Sequence, residues 1–183
     1  MLNNIAAIVG GASAPAGDYE SIATVTVGVG GAASVDFTSI AGTYKHLQIR
    51  GIGRITSGSY AQVLFRLNGI TTNTYGGHYL FGDGSTTSTT ANLSTSATLG
   101  GVISGSSQTS GIFGALVTDI LDYTNTNKLK TIRTFSGVDG NGSGYSWLSS
   151  GLNGATTAVT SVTLIPESST FAQNTTFALY GVK

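Results

Sequence analysis

The 183-residue chain contains no cysteine. This absence excludes disulfide bonds, zinc sites built on thiolates and thiol nucleophiles together. A domain of this length buries roughly 70% of the surface that its unfolded chain exposes, so its core needs neither disulfides nor a metal. We therefore predict one domain that is held together by its hydrophobic core.

Charge is also scarce. Eight Lys and Arg residues and eight Asp and Glu residues make up 9% of the chain, against about 25% in an ordinary soluble domain. Without a basic cluster to neutralise phosphates, nucleic acid and anionic membrane surfaces are poor candidates for partners. Glycine, serine, threonine and asparagine fill the deficit, and such a neutral surface gives little protection against self-association. We expect the protein to work in an assembly.

Long apolar runs are missing as well. No stretch approaches the roughly 18 apolar residues of a membrane span. The apolar run at residues 5–9 is shorter than the hydrophobic region of a signal peptide, and no basic residue precedes it. These features predict a soluble protein that is made inside a cell.

The first 19 residues differ in composition from the rest. Their glycines and Pro15 favour an extended, hinged arm over a packed element. The apolar residues of this arm require burial, either on its own domain or against a neighbouring subunit; they are Leu2, Ile5, Ile8 and Val9. We predict an N-terminal attachment arm at residues 1–19 and a β-sandwich domain at residues 20–183.

The pattern from residue 20 onward is β almost throughout, because apolar and polar residues alternate with period two and glycine or asparagine turns separate the runs. The predicted strands are 21–27, 34–37, 44–55, 60–67, 111–121, 129–138, 145–150, 158–165 and 175–182. Residues 83–110 are expected to form long loops with short strands near 91–97 and 99–104, which brings the total to ten or eleven. Such a series predicts an all-β, antiparallel two-sheet sandwich that is jelly-roll-like.

Turns and strand faces follow from the same pattern. Asn68-Gly69 is a tight hairpin signal, and residues 139–144 form a turn on composition. In the strand at 60–67, we expect Val63, Phe65 and Leu67 to face the core. In the strand at 44–55, the inner face begins with Leu47 and Ile49, and His46, Gln48 and Arg50 lie on the outer face.

The sequence contains no motif that predicts a catalytic reaction. His46 and His78 have no G-x-S-x-G nucleophile turn to accompany them, and we interpret both as hydrogen-bonding surface or interface residues. Asp119 and Asp122 are three residues apart at a strand end, so they face opposite sides unless the chain turns between them. Asp122 more simply begins a turn, in which its carboxylate accepts hydrogen bonds from backbone amides. We predict no enzyme.

No cofactor or metal is predicted either. Residues 139–144 match the first half of a calcium loop, but Ser150 occupies the position of the bidentate glutamate, so a hairpin turn is the favoured interpretation. Gly28, Gly30 and Gly31 lie between predicted strands, so the helix that must follow the glycines of a dinucleotide-binding motif is missing.

Aromatic residues remain as candidates for ligand contact. Four of them could stack on a sugar ring: Tyr75, Tyr79, Tyr145 and Trp147. The commoner use of such large aromatic side chains is packing in a core or a subunit interface, and this alternative stays open.

Several segments resemble a known family. They are MLNNIAAIVGG at the N-terminus, YESIATVTVGVGG, VDFTSIAGTYKHLQIRG, FRLNG, DILDYTNTNKLKTIRTFSG, AVTSVTLIP and FALYGVK. In this order they are similar to small virion structural proteins of tailed bacteriophages, described as capsid decoration, head-fibre or tail-associated proteins. The likeness covers nearly the whole chain except residues 83–110.

This resemblance implies a role without catalysis on the outer surface of a phage particle, after synthesis in the bacterial cytoplasm. The first hypothesis is a capsid decoration (cement) protein, a homotrimer whose arms bind the major capsid protein or another virion protein and stabilise the head. The alternative is a tail-fibre or head-fibre module for host attachment, in which the loops at 83–110 and 139–144 bind a surface glycan.

Overall fold

A computed structural model describes residues 17–183, which form twelve β-strands and no helix. The strands in chain order are β1 (Tyr19–Thr26), β2 (Val35–Phe37), β3 (His46–Gly53), β4 (Tyr60–Leu67), β5 (Tyr75–Gly82), β6 (Thr87–Thr95), β7 (Thr98–Ser104), β8 (Gly114–Leu121), β9 (Lys130–Asp139), β10 (Gly144–Asn153), β11 (Val162–Pro166) and β12 (Thr176–Val182). The predicted all-β class is confirmed.

The strands form two antiparallel sheets. The large sheet has eight strands in the order β1-β12-β3-β8-β9-β10-β5-β6, and the small sheet has four in the order β2-β11-β4-β7. Every strand of the small sheet comes between two strands of the large sheet in sequence, so the chain passes repeatedly from layer to layer, as in a jelly roll. The predicted two-sheet sandwich is confirmed.

The core lies between the inner faces of the two sheets. In β4, the predicted inward residues Val63, Phe65 and Leu67 are fully buried. Leu47 and Ile49 of β3 meet them from the large sheet. Period-two alternation therefore assigned these two strands to the correct face.

Strand β7 packs unusually close to the large sheet. All seven of its residues are buried. A Cβ atom added at Gly101 would lie 2.4 Å from the Cβ of Ser136 on β9. Because β7 comes so near, the residues that face it on the large sheet must be small.

The middle of the chain contains more strand than the sequence predicts. Strands β6 and β7 fill most of residues 83–110, and β5 is a full strand of eight residues, so the count is twelve rather than ten or eleven. The glycines of β5 interrupt the alternation that would have predicted this strand. Packing favours one of them, because a Cβ at Gly77 would lie 3.2 Å from the carbonyl oxygen of Ser150.

The predicted hairpin at Asn68-Gly69 is wrong, although the tight turn is present. Asn68 and Gly69 have φ values of 52° and 64°. Strand β4 pairs with β7 and β11, and the chain leaves the turn to enter β5 in the other sheet. The Asn68 carboxamide oxygen accepts hydrogen bonds from the amides of Thr160 at 2.8 Å and Ser161 at 3.2 Å, which joins this turn to the start of β11.

Two basic side chains fix loops by binding backbone carbonyls. The Arg54 guanidinium donates to four carbonyl oxygens of one loop at 2.7–3.2 Å, those of Ser106, Gln108, Thr109 and Ile112. Lys130 is 1% exposed and donates from Nζ to the carbonyls of Asn125, Lys128 and Thr156. In a chain with few charges, these two cations hold turns together rather than pair with acids.

The predicted arm residues Leu2, Ile5, Ile8 and Val9 lie outside the described residues. The large sheet begins at Tyr19, which pairs with Val182 of β12. Tyr19 is therefore part of the sheet, one residue before the predicted start of the sandwich domain.

Candidate functional site

Three of the four predicted ligand-contact aromatics come together, on the inner face of the large sheet. The Trp147 ring stacks on Tyr79 with a centroid separation of 4.6 Å and on Phe81 at 4.8 Å. Tyr145 packs edge-on against Tyr60 at 4.9 Å. The rings form a second packing cluster, and Trp147, at 6% exposure, is not an open platform for a sugar.

Tyr75 packs in the core, which is the alternative that the sequence left open for these aromatic residues. Tyr75 is 1% exposed, and its hydroxyl accepts a hydrogen bond from the amide of Leu67 at 2.9 Å and lies 3.3 Å from the carbonyl oxygen of Ile70. Burial raises the pKa of the Tyr75 phenol above its ordinary value. This side chain connects β5 to the end of β4 inside the core and presents no face to solvent.

The predicted surface roles of His46 and Asp122 are partly corrected. His46 Nδ1 accepts a hydrogen bond from the Asp122 amide at 3.0 Å, as expected of a structural histidine. Asp122 does begin a turn, with φ 46°, but its carboxylate binds Lys128 at 2.7 Å and Lys45 at 3.4 Å rather than backbone amides. The Lys128 ammonium is the main reason that the pKa of Asp122 lies below its usual range.

The exposed apolar residues of the sheets are concentrated on the outer face of the large sheet, a surface that the sequence analysis did not identify. Four of them are direct cross-strand neighbours on β8, β9, β10 and β5, and we call them the apolar row: Val117, Phe135, Leu148 and Leu80. Their exposed fractions are 40%, 63%, 50% and 43% in that order. Large apolar side chains left this open in a contiguous row are typical of a surface that contacts another molecule.

A polar row runs beside the apolar row, one step along the strands. Its members are also in register on β3, β8, β9, β10 and β5, namely Gln48, Asp119, Arg133, Ser150 and His78. The Gln48 amide donates to Asp119 at 2.8 Å. The Arg133 side chain makes no hydrogen bond or ion pair with any residue in the described range.

A third row, in which all residues but the first are small, lies on the other side of the apolar row. Ile52, at 55% exposure, begins this row on β3, and it continues through Ala115, Gly137, Ser146 and Gly82. The outer face therefore has a raised apolar centre with a low flank on one side and a polar flank on the other.

The outer face is grooved between these rows. A groove of about 600 Å³ lies above Ser150, between His78 and Arg133, with Leu80 and Leu148 along one side. Two shallower grooves of about 340 and 360 Å³ flank Val117. All three are open, so they suit side chains from a protein surface better than an enclosed small molecule.

The orientation of β8 and β9 explains why the sequence missed this face. Their inward positions are partly filled by small polar residues, among which the Thr118 and Thr134 hydroxyls share a buried hydrogen bond of 2.8 Å. The Ser136 hydroxyl, also inward, accepts the amide of Val102 on β7 at 2.9 Å. The close approach of β7 requires small residues on this face, which turns Val117 and Phe135 outward. The alternation itself was the available signal, since it places Phe135 on one face with Arg133 in one strand, and Val117 on one face with Asp119 in the other.

In residues 17–183, no three histidine or acidic side chains are grouped so that they could hold a metal ion. Nor does the described part of the chain include a helix with the length and apolarity to cross a membrane.

In comparisons with known proteins, no family model, no curated protein and no solved structure matches this chain.

Proposed function

We propose that this protein is a non-enzymatic structural protein of a tailed-bacteriophage particle, a capsid decoration protein that stabilises the head. The observation that carries the proposal is the apolar row on the outer face of the large sheet, because a row of this exposure suits contact with protein. A surface with 9% charged residues also permits copies to pack closely with little repulsion.

The mechanism is mechanical and multivalent. The N-terminal arm binds a groove between capsid subunits through Leu2, Ile5, Ile8 and Val9, and the sandwich links several arms in one oligomer. Several weak contacts from one rigid body produce avidity that exceeds any single contact. Holding neighbouring capsid subunits together raises the free energy that is needed to separate them under the pressure of packaged DNA.

The arm is tested by incorporation into particles. We expect the double substitution Ile5→Asp and Ile8→Asp to leave the sandwich folded and to reduce incorporation by at least about tenfold, since a charge buried without a partner is costly. Asn3→Asp with Asn4→Asp adds the same charge at polar positions of the arm and should be incorporated normally. Quantitative gels of purified particles provide the measurement, and normal incorporation of the Ile5/Ile8 variant would rule out the arm as the attachment device.

A second candidate function, host attachment as a tail-fibre or head-fibre module, is favoured by a different surface. The turn after β5 and the turn between β9 and β10 lie side by side around a shallow groove of about 350 Å³. Asp83 and Asp139 line this groove with Tyr145, and carboxylates and an aromatic ring are suitable contacts for a sugar. Backbone amides of Thr86 and Ser85 hold the pKa of Asp83 below its ordinary value, so this carboxylate is charged at neutral pH.

Location in the particle separates the two functions. Hundreds of copies over the head would support decoration, whereas a few copies at one vertex or on the tail would support a fibre. Binding of host-envelope polysaccharide is read from the fluorescence of Trp147, the single tryptophan, which lies two residues beyond Tyr145 on the same strand face. A saturable change supports attachment, and no change at high polysaccharide concentration argues against it.

A further inference from the structure

We propose that the outer face of the large sheet binds a second copy of this chain, face to face, about a two-fold axis that runs along the strands between β8 and β9. The inference rests on the proposed function, in which the sandwich links several arms, and it names the partner of the apolar row. Three observations favour a second copy as the partner: the position of Val117 and Phe135 in the sheet, the charges of the polar row and the area of the face.

The position of Val117 and Phe135 favours a symmetric pair. In the sheet order β1-β12-β3-β8-β9-β10-β5-β6, strands β8 and β9 are the fourth and fifth of eight, so the line between them is the centre of the sheet. A half-turn about this line lays each row of the face on the same row of the second copy. Such a self-complementary contact is what a two-fold interface requires.

Apolar residues meet at the centre of this arrangement. Val117 and Phe135 are opposite each other across β8 and β9, so the half-turn places Phe135 of the second copy over Val117, and Val117 of the second copy over Phe135. The two shallow grooves beside Val117 can receive the second copy's phenyl ring. Phe135, at 63% exposure, has the most surface to bury among the side chains of the row.

Two charges at the centre of the face are arranged for the same symmetry. Asp119 and Arg133 are cross-strand partners on β8 and β9, in the polar row beside Val117 and Phe135. The half-turn brings Asp119 of each copy to Arg133 of the other, which forms two ion pairs at the centre of the interface. Arg133 has no other partner in residues 17–183, so this contact satisfies a free guanidinium.

The area of the face matches that of a stable dimer. Seven spacings of about 4.8 Å between strands and about eight residues of 3.4 Å along them give a face on the order of 900 Å². A standard protein interface buries about 800 Å² on each partner. The exposed apolar side chains available on it are Ile52, Leu80, Val117, Phe135, Leu148 and Leu152.

The first test is the mass of the full chain in solution. Sedimentation equilibrium over a range of concentrations should give twice the 18.5 kDa of one chain. Phe135→Asp should raise the dissociation constant of the dimer at least about 100-fold, because it buries a charge at the centre of the interface. Val29→Asp is the matched control: Val29 is 88% exposed in the loop after β1, and its substitution should leave the dimer unchanged.

The second test is a charge exchange that a change in folding cannot imitate. Asp119→Arg alone and Arg133→Asp alone should each be monomeric, since each places like charges opposite one another in the pair. An equimolar mixture of the two variants should form a heterodimer, because both contacts between copies become Arg with Asp. Within each variant chain the two side chains still carry like charges, so association in the mixture can come only from contact between copies.

Each outcome decides the inference. A wild-type protein with the mass of one chain at all concentrations, or of three chains as the resemblance implies, overturns the face-to-face pair. Dimerisation of Phe135→Asp with the dissociation constant of the wild type, or a mixture that stays monomeric, also overturns it. None of these results bears on the proposal that the protein attaches through its arm, which incorporation into particles tests separately.

Discussion

The two faces of the large sheet differ in what covers them more than in what they are made of. Phe177 on the inner face is fully buried and packs edge-on against Phe171 at 5.2 Å, whereas Phe135 on the outer face is 63% exposed. Conversely, the inner face buries Thr118, Thr134 and the long side chain of Lys130. The second layer of a sandwich, rather than residue type alone, therefore decides which face is the core.

Polar groups on the inner face tolerate burial under the small sheet because they form hydrogen bonds. Thr118 and Thr134 bind each other, and Ser136 binds the amide of Val102, so their burial leaves these groups hydrogen-bonded. On the outer face, Arg133 and Phe135 are left to solvent or to a partner. One face is covered within the chain, and the other is the face that we propose a second copy covers.

The largest expected effect comes from removing a phenyl ring on each face in turn. Phe177→Ala should lower the free energy of unfolding by about 3–5 kcal/mol, since it leaves a cavity in the core. Phe135→Ala should lower it by less than about 0.5 kcal/mol when the protein is monomeric. Urea unfolding at low protein concentration measures both, and equal losses would contradict the assignment of the two faces.

A smaller effect is expected for the buried lysine. Lys130→Met keeps the length of the side chain but leaves the carbonyls of Asn125, Lys128 and Thr156 without their shared donor, which should cost about 2–3 kcal/mol. Lys128→Met, at a side chain that is 60% exposed, should cost less than about 1 kcal/mol. Hydrogen exchange of the turns at residues 123–129 and 154–158 should rise only in the Lys130 variant. Equal protection in both variants would show that Lys130 does not hold these turns.

The smallest effect concerns the ion pairs of Asp122 at the surface. Lys128 and Lys45 hold the pKa of this carboxyl below its ordinary 3.8, so the folded state releases the proton more readily than the unfolded state does. The stabilisation is therefore complete above about pH 4 and is lost as the pH falls through the lower pKa of the folded state. Thermal unfolding at pH 6 and pH 2.5 should show a slightly smaller acid-induced drop in Tm for Asp122→Asn than for the wild type. An identical drop in the two proteins would assign the acid sensitivity to other carboxyls.

The strands and their local faces could be predicted because they depend on neighbours in sequence. Period-two alternation found most strands, and it oriented β3 and β4 correctly through Leu47, Ile49 and Phe65. Turn chemistry placed φ > 0 at Asn68 and Gly69. The hairpin there failed because the partner of β4 is chosen by packing of the sheets and not by the turn.

The tertiary structure alone decided the candidate site. Alternation says that Val117, Asp119 and Leu121 share a face, but it does not say which face the small sheet will cover. That choice depends on the close approach of β7 through Gly101, which admits Ser136 and excludes Phe135. The same packing turned Tyr75 and Trp147 inward, away from the ligand role that their residue type suggested. Side-chain periodicity is a property of one strand, whereas burial is a property of two layers in contact.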